Sequence, residues 1–458
     1  MNNLLNILLD KQREFFKKGQ TLSIDFRLNY LKKLKETIIR KQKDITTALK
    51  LDLGKSETEA YMCEVGLSIS EISYFIKNLK KFAKDKVVQT PITNFHSKSI
   101  IKSVPYGNVL IISPWNYPFL LSIEPLVNAI AAGNTVILKP SAYSPYTSKI
   151  VKEIVDEVFE DEYVAVVTGG REENKALLSM KFDYIFFTGS QNVGKEVLKS
   201  ASQNLIPTTL ELGGKSPCIV DKTADIKLSA KRIVFGKFLN CGQTCVAPDY
   251  VYCHSKVKDE LLSEIKKQIQ LQFGKNSLDN ENYGKIINEK HFNRLLSLIE
   301  ESKTLIGGKS SFEKLKIEPT ILNNITWEDK VMQEEIFGPI LPILTFENLN
   351  EVIDVIEQKP HPLALYIFSK NKKNIKKITQ QCRYGGGCVN DVVVHLATPE
   401  MPFGGVGHSG MGSYHGKFGF DTFSHKKSIL DKKIWFDLPL RYQPYNSLCL
   451  KLLKLFLK

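Results

Sequence analysis

The chain has 458 residues, of which 43% are hydrophobic and 24% are charged. This is the composition of a globular protein with a sizeable core, so it excludes a mainly disordered, collagenous or disulfide-stapled chain. The net charge of +14 at pH 7 makes nucleic acid and anionic membranes worth testing as partners. We expect no nucleic-acid partner, because few aromatic residues interleave with the lysines and no binding motif is present.

The eight cysteines are scattered along the chain and none forms a CxxC pair. This spacing is typical of a reduced intracellular protein and does not favour a zinc or other metal site. The longest apolar run is far shorter than the roughly 20 residues that span a bilayer. The first sixteen residues include acids and predict an amphipathic helix instead of a targeting segment. We therefore expect a cytoplasmic protein.

The predicted elements change in character along the chain. Residues 1–85 predict consecutive helices, because apolar residues recur at helical spacing opposite lysines. From about residue 100, short β-branched runs alternate with helical segments. This alternation predicts a parallel sheet buried on both faces, with a ligand site at the carboxyl ends of its strands. A second α/β region follows to about residue 415, with a helix predicted over 291–302. Residues 426–441 look extended and are predicted to pair with a strand at 97–104.

A glycine-bearing turn joins the strand predicted at 182–187 to a helix. It reads Thr188, Gly189, Ser190, Gln191, Asn192, Val193, Gly194. Glycine lets a backbone approach a pyrophosphate, and a helix N-terminus favours its negative charge. The G-x-x-x-x-G spacing differs from the G-x-G-x-x-G dinucleotide fingerprint, so a tight turn without a ligand is the alternative.

Cys245 is a candidate nucleophile in the segment NCGQTCVAP at 240–248. An intracellular cysteine is usually a small buried hydrophobe. Gly242 and Pro248 predict irregular backbone on both sides of Cys245, and catalytic residues concentrate in such segments.

Glu211 and Asn116 are the other candidates from residue chemistry alone. Glu211 ends an apolar strand, where burial would raise its pKa toward the range of a general base. An ion pair with Lys215 is the alternative. Asn116, within PWNYP at 114–118, either donates its amide to an oxyanion or caps the next helix.

Seven segments together, in this order, resemble the aldehyde dehydrogenase superfamily. They are PWNYP, LKPS, FTGSxxxG, LELGGKSP, GQTC, EEIFGP and MPFGGVGHSG. The tail segments SGMGSYHGKFGFDTFSH and LRYQPY are similar to the class 3 branch, which includes the fatty aldehyde dehydrogenases. The resemblance spans essentially the whole chain.

The resemblance implies an α/β fold with a Rossmann-like, doubly wound cofactor domain, a second α/β catalytic domain and a small β element for bridging and oligomerisation. The cofactor domain would comprise residues 1–85 and 106–208, and the catalytic domain 209–415. The β element would comprise 86–105 and 416–445. A homodimer is implied.

Residues 446–458 predict an amphipathic C-terminal helix with Lys451, Lys454 and Lys458 on one face. The helix is too short to span a bilayer. It would either lie on a membrane or cover a substrate tunnel or a dimer partner, and we favour peripheral membrane contact.

Carried over by position, the resemblance makes Cys245 the nucleophile and Glu211 the general base. Asn116 would be an oxyanion donor beside the backbone N–H of Cys245. The implied reaction is NAD(P)-dependent oxidation of medium- or long-chain aliphatic, or aromatic, aldehydes to carboxylic acids, through a thiohemiacetal and a thioester. A cofactor-independent cysteine hydrolase and a coenzyme A-acylating enzyme are the alternatives.

The resemblance also implies a site for NAD, NADP or both. Lys139 and Glu335 would hold the two riboses, and Phe337 would lie against the nicotinamide. Trp115 and the turn 189–194 would complete the cofactor site. Many family members carry glutamate three residues after the LKPS lysine, where this chain has Ala142. The absence of this glutamate predicts that NADP is used as well as NAD.

Overall fold

The computed structural model describes residues 2–437 and 439–457. The described residues form sixteen α-helices, joined by shorter helical turns. The helices are α1 (Asn2–Lys17), α2 (Ile24–Arg40), α3 (Gln42–Leu53), α4 (Glu57–Ala60), α5 (Gly66–Phe82), α6 (Leu120–Ala132), α7 (Pro145–Val158), α8 (Arg171–Leu178), α9 (Gln191–Ser202), α10 (Ile226–Phe238), α11 (Lys258–Phe273), α12 (Glu289–Leu296), α13 (Leu349–Gln358), α14 (Lys372–Gln381), α15 (Gly416–Thr422) and α16 (Ser447–Phe456).

A six-stranded sheet forms the core of the first α/β region. Its strands are β3 (Asn108–Ile112), β4 (Thr135–Lys139), β5 (Val164–Val166), β6 (Tyr184–Thr188), β7 (Thr208–Glu211) and β17 (Gly410–Met411). The spatial order is β17-β7-β6-β3-β4-β5, and every pair is parallel except β17 with β7. The prediction of a buried parallel sheet is confirmed, since every residue of β3 and β4 is buried.

The connectivity of this sheet places a crevice between β3 and β6. The chain runs outward from β3 through β4 to β5 and then returns to β6 on the other side of β3. The segments that leave the carboxyl ends of β3 and β6 therefore diverge to opposite faces of the sheet. Ligands of doubly wound proteins bind at such a switch point.

A seven-stranded sheet forms the second α/β region. Its strands are β8 (Pro217–Val220), β9 (Tyr250–His254), β10 (Thr304–Ile306), β13 (Thr320–Leu322), β14 (Ile340–Phe346), β15 (Ala364–Phe368) and β16 (Gly386–Val389). The order is β10-β13-β14-β9-β8-β15-β16, and all neighbours are parallel except β10 with β13. A two-stranded hairpin, β11 (Ser310–Ser311) and β12 (Lys316–Ile317), lies outside it.

The predicted pairing of the C-terminal extended segment is confirmed. Strand β18 (Ser424–Lys432) runs antiparallel to β2 (Ser97–Pro105), and β1 (Lys86–Val88) completes this third sheet. The strand ends earlier than predicted, at Lys432 and not at residue 441. Proline has no N–H to continue a ladder, and Pro439 begins a single helical turn that ends at Arg441.

Helix α12 is also shorter than the predicted span of 291–302. Asn288 caps its start by accepting from the N–H of His291, and the helix ends at Leu296. The next residue, Ser297, bonds back through its hydroxyl to the carbonyl of Arg294. Serine side chains that bond to nearby backbone in this way compete with continued helix.

The predicted C-terminal helix is present as α16. Several of its leucines are exposed and so pack little against the rest of the protein. Leu448, Leu450 and Leu455 each expose more than half of their surface. Lys458, which was predicted on its basic face, lies outside the described residues. Within residues 2–437 and 439–457, no helix combines the length and the apolar character needed to cross a membrane. The domain boundaries given above stay a prediction.

Candidate functional site

A cavity of about 550 Å³ lies at the crevice between β3 and β6 and extends to the second α/β region. Ten of the thirteen site residues that the sequence predicted contribute to its wall. They are Trp115, Asn116, Gly189, Ser190, Gln191, Asn192, Glu211, Cys245, Glu335 and Phe337. The other three, Lys139, Val193 and Gly194, lie outside the wall.

The turn after β6 fits an anionic group. Residues 188–192 line the cavity, and α9 begins within them at Gln191. Among the described residues, the Ser190 side chain makes no capping hydrogen bond to this helix, so the N–H groups of its first turn can serve a ligand. A Cβ at Gly189 would lie 2.6 Å from Phe187 Cζ, so the backbone is packed too closely for a larger residue.

Lys139 and Gly194 are two of the predicted cofactor residues that lie outside the cavity wall. Lys139 ends β4, and its Nζ donates to the carbonyls of Pro140 (2.9 Å) and Gly169 (2.7 Å). Burial lowers the pKa of Lys139 to about 8, and the carboxylate of Glu173 opposes this. A Cβ at Gly194 would lie 2.9 Å from Leu212, so this glycine lets α9 pack closely.

Val193 and Ala142 both face outward. Val193, in the first turn of α9, exposes 44% of its surface. Ala142, in the loop between β4 and α7, is also exposed. The polypeptide around Ala142 therefore leaves room for a larger side chain.

Cys245 is held by a strained turn. Asn240 and Cys241 adopt left-handed backbone angles (φ 52° and 51°), and Gly242 follows at φ 73°. Such angles are costly for residues other than glycine, and they cluster at functional sites. A Cβ at Gly242 would lie 2.2 Å from the Gly338 carbonyl oxygen, which fixes glycine there.

The environment of Cys245 keeps its thiol neutral. Desolvation, with smaller contributions from the carboxyl groups of Glu335 and then Glu211, raises the pKa of Cys245 to about 12. A thiolate is the reactive form of cysteine. The thiol therefore needs a nearby base or positive charge before it can attack a carbonyl.

The carboxyl group of Glu211 is buried. It is 2% exposed, and within the described part of the chain neither carboxyl oxygen has a hydrogen-bond partner. Burial raises its pKa well above the usual range. The alternative of an ion pair with Lys215 is wrong, because Lys215 Nζ contacts Asp249 Oδ2 and the carbonyl of Val331. An unpaired buried carboxyl with a raised pKa is typical of functional sites.

Asn116 faces the same cavity. It is 3% exposed, and its Nδ2 donates one hydrogen bond to the Gln243 carbonyl at 3.1 Å. The alternative role as a helix cap is wrong, since α6 begins at Leu120 with Phe119 as its capping residue. An amide nitrogen carries two hydrogens, so one remains for a group in the cavity.

Glu335 and Phe337 also line the cavity. Glu335 lies against the backbone of Gly213, where a Cβ would come within 2.2 Å of Glu335 Oε2. Desolvation raises the pKa of Glu335 to about 8. Phe337 has a left-handed φ of 50°, and its ring meets the edge of Trp115 at a centroid distance of 5.4 Å.

Four residues that shape this site were not predicted from the sequence. His291 packs on Trp115 at 5.0 Å, and Arg294 donates to the carbonyl of Ile336. Lys55, from the loop between α3 and α4, and Glu64, from the helical turn after α4, lie behind Asn116. None of the four belongs to a recognisable motif, because each reaches the site through a long-range contact.

The chain is similar to known proteins over nearly its whole length. The aldehyde dehydrogenase family matches residues 5–429. The chain is 48% identical to 4,4'-diaponeurosporen-aldehyde dehydrogenase of Staphylococcus aureus, covering 99% of this chain and 100% of that one. It is 43% identical to aldehyde dehydrogenase family 3 member A2 of Macaca fascicularis, with coverages of 96% and 91%.

Two further similarities are informative. A dimeric, NADP-preferring aldehyde dehydrogenase of Canis lupus familiaris is 42% identical, with coverages of 95% and 97%. The solved substrate-bound state of Staphylococcus aureus AldH has a TM-score of 0.97 and 47% identity, covering 99% of both chains. The similarity to the class 3 branch predicted from the tail segments is thereby confirmed.

Proposed function

The chain belongs to the aldehyde dehydrogenase family, and on that premise we propose that it oxidises medium- or long-chain aliphatic, or aromatic, aldehydes with NAD or NADP. One observation carries the proposal: Cys245, Glu211 and Asn116 share one cavity with the turn at 188–192. The cavity thus combines a nucleophile, a base, an oxyanion donor and an anion-binding turn.

The first half of the reaction uses Cys245 and Asn116. The Cys245 thiol releases its proton to water, Sγ attacks the aldehyde carbon, and the carbonyl oxygen becomes an oxyanion. The free amide hydrogen of Asn116 and the backbone N–H of Cys245 stabilise that charge. When bound, NAD or NADP supplies the acceptor for the hydride that leaves this carbon. A thioester on Cys245 remains.

The second half of the reaction uses Glu211. Its carboxylate takes a proton from a water molecule, and the resulting hydroxide attacks the thioester carbon. The carbon–sulfur bond breaks, the carboxylic acid leaves, and the proton held by Glu211 restores the Cys245 thiol. A base with a pKa raised toward neutrality suits this step, because it binds and releases the proton near the working pH. Burial raises the pKa of Glu211 in that direction.

The cofactor would lie along the wall from α9 to Phe337. The first turn of α9 would bind the pyrophosphate, and Glu335 would bind one ribose. Phe337 and Trp115 would flank the nicotinamide. Lys139 would bind the adenosine ribose. The dog relative is named as NADP-preferring, and that name supports the use of NADP by this chain.

Cofactor-linked turnover tests the proposal directly. NADH and NADPH formation would be followed with aldehydes of two to sixteen carbons, with and without detergent. We expect the highest kcat/KM for medium or long chains. Cys245→Ala should abolish turnover while cofactor binding persists, whereas Cys241→Ala, the matched control, should lose little. Substantial turnover by the purified Cys245→Ala protein would contradict the assignment.

The same experiment separates the alternatives. Ester hydrolysis by a protein that forms no reduced cofactor with any of the aldehydes would favour a cysteine hydrolase. Turnover that requires coenzyme A would favour an acylating enzyme. The turn at 188–192 argues against the hydrolase, because without a cofactor this turn would have no ligand.

We also propose that the protein is a homodimer through the sheet that contains β18. All but the two end residues of this strand are exposed. Ile434 and Trp435, which follow it, expose 100% and 69% of their surfaces. Exposed apolar groups of this size are typical of interfaces. Light scattering should give a dimer, and Ile434→Asp should shift it toward the monomer; a monomeric native protein would contradict the proposal.

Helix α16 is proposed to contact a membrane surface. Its exposed leucines and its two described lysines suit an anionic lipid interface. Flotation with anionic liposomes should be strong for the full-length chain and weak for a chain that ends at Tyr445. Equal flotation of the two proteins would contradict the proposal that α16 contacts a membrane.

A further inference from the structure

A buried ion pair lies behind the cavity wall that carries Asn116. Lys55 Nζ contacts Glu64 Oε1, and neither side chain has any exposed surface. Glu64 belongs to a single π-helical turn, Tyr61–Val65, which is rare in proteins and frequent at functional sites. Burying two charges costs more than their attraction commonly returns. The pair is therefore poorly explained by stability alone.

The hydrogen bonds of the pair converge on the segment that presents Asn116. Lys55 Nζ donates to the Asn116 carbonyl oxygen at 3.1 Å. The second oxygen of Glu64 accepts from the backbone N–H of Phe119 (2.8 Å) and of Leu120 (3.2 Å). The cation thus holds one end of this segment and the anion holds the other.

The network also reaches the turn before Cys245. The carboxylate of Glu59 accepts from the backbone N–H of Asn240 at 2.9 Å. The Asn240 side chain donates to the carbonyl oxygens of Asn116 (2.7 Å) and Gln243 (3.1 Å). Gln243 O also accepts the amide of Asn116. The nucleophile turn and the oxyanion donor are therefore fixed relative to each other.

We propose that Lys55 and Glu64 are positioning residues that orient the amide of Asn116 toward the oxyanion formed at Cys245. This inference rests on the proposed function. The charges matter because a backbone carbonyl held by an ammonium group cannot rotate without losing a charge-assisted bond. Rotation of Asn116 would carry its amide away from the developing negative charge.

Two reagents separate orientation of the donor from reactivity of the thiol. With p-nitrophenyl acetate, Cys245 Sγ attacks the ester carbon, an oxyanion forms, and p-nitrophenolate leaves as the acetyl thioester is made. With iodoacetamide, Sγ displaces iodide from a saturated carbon and no oxyanion forms. Both reactions need the thiolate. The rate constant for the ester divided by that for iodoacetamide therefore reports oxyanion stabilisation. Mass analysis of the peptide that contains Cys245 excludes labelling at other cysteines.

The ratio should fall in variants of the pair. We expect Asn116→Ala to lower it about 10²–10³-fold, the range for the loss of one oxyanion donor. Lys55→Met with Glu64→Leu, which keeps the volume apolar, should lower it about ten-fold or more, and the milder Glu64→Gln should lower it less. In an Asn116→Ala background the pair replacement should add little, because both changes remove the same donor.

Arg27→Met is the control. Arg27 is also buried, and it bonds to the backbone carbonyls of Thr21 and Ala131, away from the cavity. Its loss should destabilise the fold and leave the ratio unchanged. An unchanged ratio in folded Lys55 and Glu64 variants, or losses that simply add to those of Asn116→Ala, would overturn the inference. A lowered ratio in a protein that oxidises no aldehyde would instead overturn the proposed function and leave this inference standing.

Discussion

Replacing Glu335 by glutamine tests the electrostatics of the nucleophile. Desolvation raises the pKa of Glu335 to about 8, so this group is mostly protonated at pH 7 and ionises as the pH rises through about 8. Its negative charge then opposes the ionisation of Cys245, whose pKa is about 12. The effect of Glu335 on Cys245 should therefore be small at pH 7 and large above pH 8.

The magnitude follows from the pKa of the thiol. With a pKa of about 12, roughly one thiol in 10⁵ is ionised at pH 7, against roughly 3% for a free cysteine with a pKa near 8.5. A thiolate of higher pKa is also the stronger nucleophile, with a Brønsted coefficient of about 0.4–0.5, so without cofactor Cys245 should react with iodoacetamide at most about 10²-fold more slowly than a free thiol. Its log rate should rise by one unit per pH unit up to about pH 8 and less steeply above it. Glu335→Gln should keep the full slope.

The assay is alkylation of the Cys245 peptide at several pH values, followed by mass spectrometry. Glu334→Gln is the matched control, because its side chain is 54% exposed and pairs with Arg294 on the surface. It should leave the profile unchanged. A plateau near pH 8.5 in the native protein, or identical profiles for the native protein and Glu335→Gln, would refute the reasoning.

The remaining predictions concern three other residues. Burial raises the folded-state pKa of Glu211, so above about pH 4.3 the folded state keeps a proton that the unfolded state releases, and stability falls by up to about 1.4 kcal/mol per pH unit. The Tm advantage of Glu211→Gln should therefore grow as the pH rises above about 4.3; a constant difference would contradict this. Asn116→Ala should lower kcat about 10²–10³-fold, and a loss confined to KM would argue against an oxyanion role. Ala142→Glu should shift kcat/KM toward NAD by about ten-fold or more, since a charge-assisted hydrogen bond is worth about 1.5–3 kcal/mol; a native preference for NAD above a hundred-fold that the substitution leaves unchanged would exclude control by this residue.

Local patterns in the sequence predicted much of the fold. Apolar β-branched runs predicted β3 and β4, and helical spacing predicted the N-terminal helices. These patterns arise because the buried positions of each segment are apolar, so they can be recognised within the segment alone. The end of β18 at Lys432 was missed, because the extended pattern continues past the point where the chain leaves the sheet.

Site residues that lie within sequence motifs were predicted. Those that reach the site through long-range contacts were missed. Cys245, Glu211 and Asn116 lie in segments whose neighbours mark them. Lys55 and Glu64 do not, because their role comes from hydrogen bonds to a segment more than fifty residues away. The absence of a partner for Glu211 among the described residues was likewise beyond the sequence, since Lys215 stands only four positions away and bonds elsewhere.

The most direct test of covalent aldehyde oxidation is the mass of the Glu211→Gln protein after mixing with octanal and cofactor. Cys245 should acquire one octanoyl group, with one reduced cofactor formed per subunit, because the thioester is made and then hydrolysed slowly. The adduct should be missing in Cys245→Ala. Steady-state turnover of Glu211→Gln at the native rate, with no acyl group on Cys245, would contradict the account.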